Sequence, residues 1–158
     1  MKRLDNKIAL VTGASRGIGK AIAMRLAEEG AIVAVHYGAN RSAAEQTVRA
    51  ITDKGGQAFP IGANLDTVSG VEQLVESFRT ELLRLTQEVQ FDILINNAGI
   101  GTSPPMEETT EDTFDRLFAV NVKAPFFLVR HTLSMLRDHG RIINISSGVT
   151  RIAFPHIM

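Results

Sequence analysis

Three short stretches carry residues that could do chemistry. The first is TGASRGIG at 12–19, which reads G-x-x-x-G-x-G through Gly13, Gly17 and Gly19. It follows an apolar run, IALVT at 8–12, and opens a helical stretch over 17–29. A glycine at a strand exit can take positive φ. Glycines at 17 and 19 let the backbone approach a pyrophosphate and let the helix pack on the strand. The helix N-terminus then supplies N–H donors and positive potential. A plain glycine turn is the alternative, and the strand–turn–helix setting favours a dinucleotide.

The second stretch runs from Asn121 to Pro125. Asn is a poor helix former. Pro125 has no N–H to offer the Asn121 carbonyl, so that oxygen is left to bind something else. A proline kink with a polar bystander is the alternative. The third stretch is IINISSG at 142–148, where Ser146 and Ser147 end a β-branched run. Side chains alternate along a strand, so only one serine can face a cleft. Two turn-forming serines at the strand exit are the alternative, and the residues alone do not choose between them.

Which dinucleotide is expected depends on the second strand. A site for the ribose 2′-OH needs an acid about 20 residues past the glycines. VAVHYGA at 33–39 has none, while Arg16 lies in the glycine loop and Arg41 follows the strand. Two cations without a carboxylate suit a 2′-phosphate, so NADP(H) is the expected cofactor. Two solvated surface arginines are the alternative.

The elements that must position these groups alternate in type. Short apolar runs lie at 8–12, 31–36, 57–61, 91–95 and 141–145. All but 57–61 are apolar on both faces, which predicts buried parallel strands. Helices are predicted between them. One spans 42–54, with a capping box from Ser42 to Glu45 and a stop at Gly55-Gly56. Another spans about 67–89, with a stripe of Val68, Val71, Val75, Phe78, Leu82, Leu85 and Val89. A fourth spans roughly 112–137, with cations in its last turn before Gly140. Between 101 and 112 lies a polar loop with paired proline. Five strands alternating with helices predict one α/β domain over 1–158, a doubly wound parallel sheet. Ligand then belongs at the carboxyl ends of the strands.

Bulk properties remove several classes. The 158 residues hold 17 Lys+Arg and 17 Asp+Glu, so the formal net charge is zero and no nucleic-acid partner is expected. There is no Cys, which excludes disulfides and thiolate catalysis and fits a cytoplasmic location. His36, His131, His139 and His156 lack metal-ligand spacing, so no metal is expected and solvated or helix-end roles are assigned to them. No apolar run nears the length of a membrane span, so no membrane partner is expected.

With TGASRGIG at 12–19, NNAG at 96–99, Asn121 within VNV, and ISSG at 145–148, the chain resembles the short-chain dehydrogenase/reductase family. Its nearest likeness there is to 3-oxoacyl-(acyl-carrier-protein) reductases. The resemblance covers all 158 residues but only the first part of the family's domain, a five-stranded Rossmann-like sheet that is C-terminally incomplete. It implies that Ser15, Arg16 and Ile18 contact cofactor phosphates beside Gly13, Gly17 and Gly19. It places Asn64 and Leu65 at the adenine, although the family usually has Asp where Asn64 stands. Asn97, Ala98 and Gly99 would line the ribose and steady the sheet, and Tyr37 and Arg41 join the cofactor-binding set. Asn121 would belong to the catalytic tetrad through a carbonyl-bound water, and Ser147 would hold the substrate carbonyl.

The family's general acid is a Tyr in Tyr-x-x-x-Lys, and that position counts to just past Met158. Tyr37, the single Tyr, sits beside strand 2 and cannot substitute. The resemblance therefore implies reduction of a carbonyl, such as a 3-oxoacyl thioester, by a longer homo-oligomeric protein (a tetramer or dimer). The 158 residues alone are expected to lack turnover. A non-catalytic nucleotide-binding or interaction protein is the alternative.

Overall fold

The computed structural model describes residues 2–101 and 106–148. Residues 102–105 of the polar loop, and 149–158 with His156, lie outside the described residues. Ile8–Val11 (β1) is buried at every position, as a strand covered on both faces must be. The order continues as Gly17–Glu28 (α1), Ile32–Tyr37 (β2), Arg41–Thr52 (α2), Gln57–Gly62 (β3), Val68–Thr86 (α3) and Phe91–Asn96 (β4). After these come Glu111–Phe118 (α4), Ala124–Thr132 (α5) and Leu136–Asn144 (β5). The five strands form one parallel sheet in the order β3-β2-β1-β4-β5. The order reverses between β1 and β4, the switch point of a doubly wound sheet.

Alternation along the strands divides the core in two. Ile8, Leu10, Ala34, Phe59 and Ile61 pack with Val71, Leu74, Phe78 and Leu82 of α3 and with Leu128 of α5. Ala9, Val11, Val33 and Val35 pack with Ala23 and Ala27 of α1 and with Ala44 and Ile51 of α2. Small residues on α1 let it lie close to the sheet. Phe78 meets Phe91 edge to face, with ring centroids 5.2 Å apart. β3, the one strand set apart from the buried four by its sequence, is the outer strand beside β2. Its Pro60 is tolerable there because an edge strand need not donate on its open side.

Four local expectations are corrected. The cap of α2 is Asn40, whose Oδ1 accepts from Ala43 N at 2.9 Å. Ser42 lies inside the helix, and Glu45 pairs with Arg41 instead. On α3, Leu74 is buried and Leu85 is 41% exposed. A strict seven-residue spacing drifts around a straight helix by about 20° per heptad, which carries Leu85 off the sheet-facing side. The single helix expected over 112–137 is broken into α4, a π-helical segment Ala119–Lys123, α5, and a 3-10 turn Leu133–Met135. Pro125 withholds an N–H, and Ala124 N donates five residues back to Ala119 O. The cations of the last α-helical turn are therefore Arg130 and His131.

β5 differs most. It starts at Leu136, paired with Phe91, then resumes at Arg141, paired with Ile93. The residues between loop out, with His139 at φ 64°. The expected burial of this strand is not seen, since Ile142, Ile143 and Ile145 are 36–46% exposed. β5 is the outer strand beside β4, and no described helix covers that end of the sheet. Phe114, Phe118, Val122 and Phe126 are likewise at least half exposed along α4, the π segment and α5.

Asp92 sits opposite the loop-out and holds three strands together. Its carboxylate accepts from Lys7 Nζ at 2.8 Å, Ile8 N at 3.0 Å and Arg137 at 3.2 Å. Burial pushes its pKa up. The Lys7 bond, the Ile8 amide and the charges of Lys7 and Arg137 outweigh that and hold it below the ordinary 3.8. A carboxyl with a depressed folded-state pKa stabilises above its unfolded value and loses that effect as pH falls through the folded one. Asp92→Asn is expected to cost about 1–3 kcal/mol at neutral pH, less than a fully buried pair because Lys7 can return to water. Urea melts should show the gap to wild type closing below about pH 4. A gap unchanged on acidification would exclude this role.

Candidate functional site

The glycine loop leaves β1 and turns into α1. Gly13 and Gly17 take φ of 63° and 55°, values that L side chains resist. A Cβ on Gly13 would come within 2.9 Å of Ala98 Cα, and one on Gly19 would overlap Gly13 O and Asn97 Nδ2. Both glycines let the loop, α1 and the NNAG segment share one small volume. At Gly17 nothing lies within 4 Å of an added Cβ, so it faces open space. α2, α3 and α4 are capped by the side chains of Asn40, Thr67 and Thr110. α1 has Arg16 at its N-cap, no side-chain cap bond, and no acid in its first turn. Its first N–H groups therefore keep the donor capacity and positive potential that an anion uses. This edge fits a dinucleotide pyrophosphate.

One hydroxyl ties the loop to NNAG. Thr12 Oγ1 accepts from Asn97 N and Ala98 N, both at 2.9 Å, and donates to Ile95 O at 3.2 Å. Asn97 returns the contact through Nδ2, which donates to Thr12 O at 2.9 Å and Gly13 O at 3.2 Å. The Asn97 side chain is thus turned into the scaffold. Next to it, Asn96 Nδ2 donates to Asn144 Oδ1 at 2.8 Å, and Ile145 N donates to Asn96 O at 2.9 Å. These bonds carry the edge across β1, β4 and β5.

The two cations lie on either side of the loop. Arg16 is exposed and has no ion pair among the described residues. Arg41 is exposed and pairs with Glu45 at 2.8 Å, a bond that raises its already high pKa. Such an exposed pair is weak because water screens both charges, so it yields readily to a phosphate. Thr47 Oγ1 shares its proton between Ala43 O at 3.1 Å in its own helix and Ser15 O at 3.2 Å, which draws α2 against the loop. Tyr37 ends β2 and lies across Gly62, where an added Cβ would come 2.7 Å from the ring. Asn64 is exposed, and its Oδ1 accepts from Asp66 N at 3.2 Å. The Leu65 side chain is buried in the core, which leaves its backbone for any ligand. Ile18 is 65% exposed at the start of α1.

A second part of the edge is a groove of about 890 Å³. Its walls include Asn97, Gly99, Val122, Phe126, Ser146 and Ser147. Asn121 clamps the loop after NNAG. Its Oδ1 accepts from Ile100 N at 2.9 Å and its Nδ2 donates to Ile100 O at 2.8 Å. The expected disruption at Asn121 takes the form of the π segment, which turns this side chain toward Ile100. The strand-alternation argument for the serines does not hold. β5 ends at Asn144, so Ser146 and Ser147 lie past the strand and both line the groove. Tyr37 is three strand positions from β5 in the sheet order, about 14 Å at normal strand spacing.

Two residues beyond the expected set prove central. Thr12 stands at the start of the glycine loop, and a hydroxyl ending an apolar strand is the signal that marks it. His36 is buried inside β2 rather than solvated. Its Nδ1 accepts from Gly13 N at 3.1 Å, so its Nε2 carries the proton to Ala63 O at 3.1 Å. Burial lowers its pKa from 6.5 to about 4, with the Ala63 bond opposing, and the ring is neutral at ordinary pH. The signal is a polar ring inside a covered strand, which must find partners.

Thr12→Val keeps the side chain's shape and leaves the Asn97 and Ala98 amides without an acceptor. Urea unfolding should show a loss of about 2–4 kcal/mol, with Thr12→Ser within about 1 kcal/mol of wild type. Equal losses in both variants would show that the methyl group, not the hydroxyl, is what matters.

The same geometry recurs in known proteins. A sequence profile described as short chain dehydrogenase matches residues 7–158. A hydroxynaphthalene reductase of Aspergillus fumigatus is 38% identical over 96% of this chain and 54% of its own. Among solved structures, the promiscuous reductase LugOII, which catalyzes keto-reduction at C1 during lugdunomycin biosynthesis, is 50% identical. It superposes with a TM-score of 0.95 over 98% of this chain and 64% of its own. The angucycline C-6 ketoreductase LanV, solved with bound NADP, is 48% identical with a TM-score of 0.96, covering 99% of this chain and 61% of its own. The chain spans 54–60% of the length of the first two curated relatives. Among the described residues no helix is long and apolar enough to cross a membrane, and no acid or histidine cluster could hold a metal. A fold, a glycine cradle and a profile match that all coincide lead to one conclusion: the chain belongs to the short-chain dehydrogenase family.

Proposed function

We propose that these residues form the NADP(H)-binding and carbonyl-positioning part of a reductase that converts a ketone to an alcohol. The observation that carries the reading is the uncapped start of α1 beside Arg16 and Arg41, with no carboxylate from Val33 to Ala39. The amides from Ser15 to Gly19 would hold the pyrophosphate, the two arginines the 2′-phosphate, and Asn64 with the Leu65 backbone the adenine. Ala98 and Gly99 would border the ribose. The bound cofactor supplies a hydride. Ser147 would donate a hydrogen bond to the ketone oxygen, and Asn121 would fix the Ile100 loop that closes one side of the groove. No tyrosine stands near enough to Ser147 to supply the proton, so the 158 residues by themselves bind cofactor without turnover. One domain, a cytoplasmic location and a homo-oligomeric assembly complete the reading.

The substrate class we favour is a ring ketone on an aromatic skeleton. The groove presents Val122, Phe126, Val129 and Leu133, and LanV, an angucycline ketoreductase, and the Aspergillus hydroxynaphthalene reductase act on fused-ring compounds. A 3-oxoacyl thioester is the second candidate, from the motif resemblance alone.

Fluorescence titration of the full chain separates the cofactors. NADPH is expected to bind at least about 10-fold tighter than NADH. Arg16→Ala or Arg41→Ala should each weaken NADPH by about 5- to 10-fold and leave NADH unchanged. Equal affinity for the two cofactors in wild type would overturn the assignment.

A further inference from the structure

We propose that His36 is a positioning residue that locks the two cofactor-edge loops to one another. The inference rests on the NADP(H)-binding reading above. Residue 36 binds the glycine loop twice. Its ring Nδ1 accepts from Gly13 N at 3.1 Å, and its carbonyl accepts from Ala14 N at 2.8 Å. The first two amides after Thr12 are therefore spent inside the protein. Donors for an anion begin only at Ser15, which sets where the pyrophosphate lies.

The other end of the ring reaches the second loop. Nε2 donates to Ala63 O at 3.1 Å, and Ala63 N donates to Tyr37 O at 3.1 Å. Ala63 directly precedes Asn64 and Leu65. One imidazole thus spans from the phosphate loop to the adenine loop, across the carboxyl end of β2. Only the tautomer with hydrogen on Nε2 can make both bonds, because a backbone amide must donate to Nδ1. The ring is buried, with 1% of its surface exposed. Its polar atoms have no water to fall back on if a loop shifts.

Three replacements separate the two bonds. Asn places an acceptor where Nδ1 stands, Gln places a donor near Nε2, and Phe keeps bulk without either. NADPH titration of the full chain should show His36→Phe weakened by about 10-fold or more. His36→Asn, which keeps only the Gly13 bond, should recover part of that loss and stay a few-fold weaker than wild type, with His36→Gln between it and His36→Phe. Thermal melts of the same proteins give the control. The Asn and Gln variants should melt alike while binding NADPH differently. Affinity that simply tracks melting temperature would reduce His36 to packing and overturn the proposal, and so would a Phe variant that binds like wild type. If the Phe variant does not fold, the Asn and Gln pair still decides.

Long-range proton–nitrogen NMR of wild type tests the geometry without cofactor. Nδ1 should be unprotonated and Nε2 protonated, and a proton on Nδ1 would overturn the inference. Wild type that binds no NADPH while showing the expected tautomer would instead overturn the functional reading on which it rests.

Discussion

Thr12 Oγ1 receives two amide hydrogens and gives one to a carbonyl at the point where β1 and β4 end. The rest of the edge depends on that hydroxyl. Parallel strands finish with unpaired backbone groups at their carboxyl ends, and buried amides without partners are costly. Thr12 satisfies those of Asn97 and Ala98, and Asn97 satisfies the carbonyls of Thr12 and Gly13 in return. The exchange leaves no room for a side chain at Gly13 or Gly19. The glycine pattern is thus as much a consequence of packing against NNAG as of approach to a phosphate.

Once this staple is set, the remaining parts follow from geometry. α1 must begin close to β4, with its first turn uncapped and open to solvent. α2 is tied to Ser15 by Thr47 and brings Arg41 to the same edge. The Asn96–Asn144 pair extends the staple to β5 and delivers both serines to the groove. At the opposite end of the sheet, Asp92 joins β1, β4 and the start of β5. Polar clasps therefore close the sheet at both ends, while the apolar strands between them carry the burial. The charged clasp lies away from the cofactor edge, where the donors are neutral amides and two exposed arginines, Arg16 and Arg41. That division suits a ligand that is itself an anion.

Much of this was legible in the residues. Apolar runs gave β1, β2 and β4 because both of their faces are covered, and strand–glycine–helix order gave the cofactor edge. Other features were hidden for physical reasons. The Asn40 cap competes with an equally good Ser42 one residue pair later, and only the backbone entry angle decides. The π segment was foreseeable as a break at Pro125 but not as a register shift. Leu74 replaced Leu85 because a heptad spacing is not the period of a straight helix. His36 is polar enough to sit in water, and only its place in VAVHY, between apolar residues of a covered strand, marks it as buried. Strand alternation could not choose between Ser146 and Ser147 because β5 ends before either serine.

The central claim is that NADP(H) binds along the edge organised by Thr12, and amide NMR of the full chain during an NADPH titration tests it most directly. The largest shifts should fall on the amides of Ser15 to Gly19 and of Ala98 and Gly99, with the middle of α3 unmoved. Saturable shifts centred elsewhere, or none at all, would contradict the account.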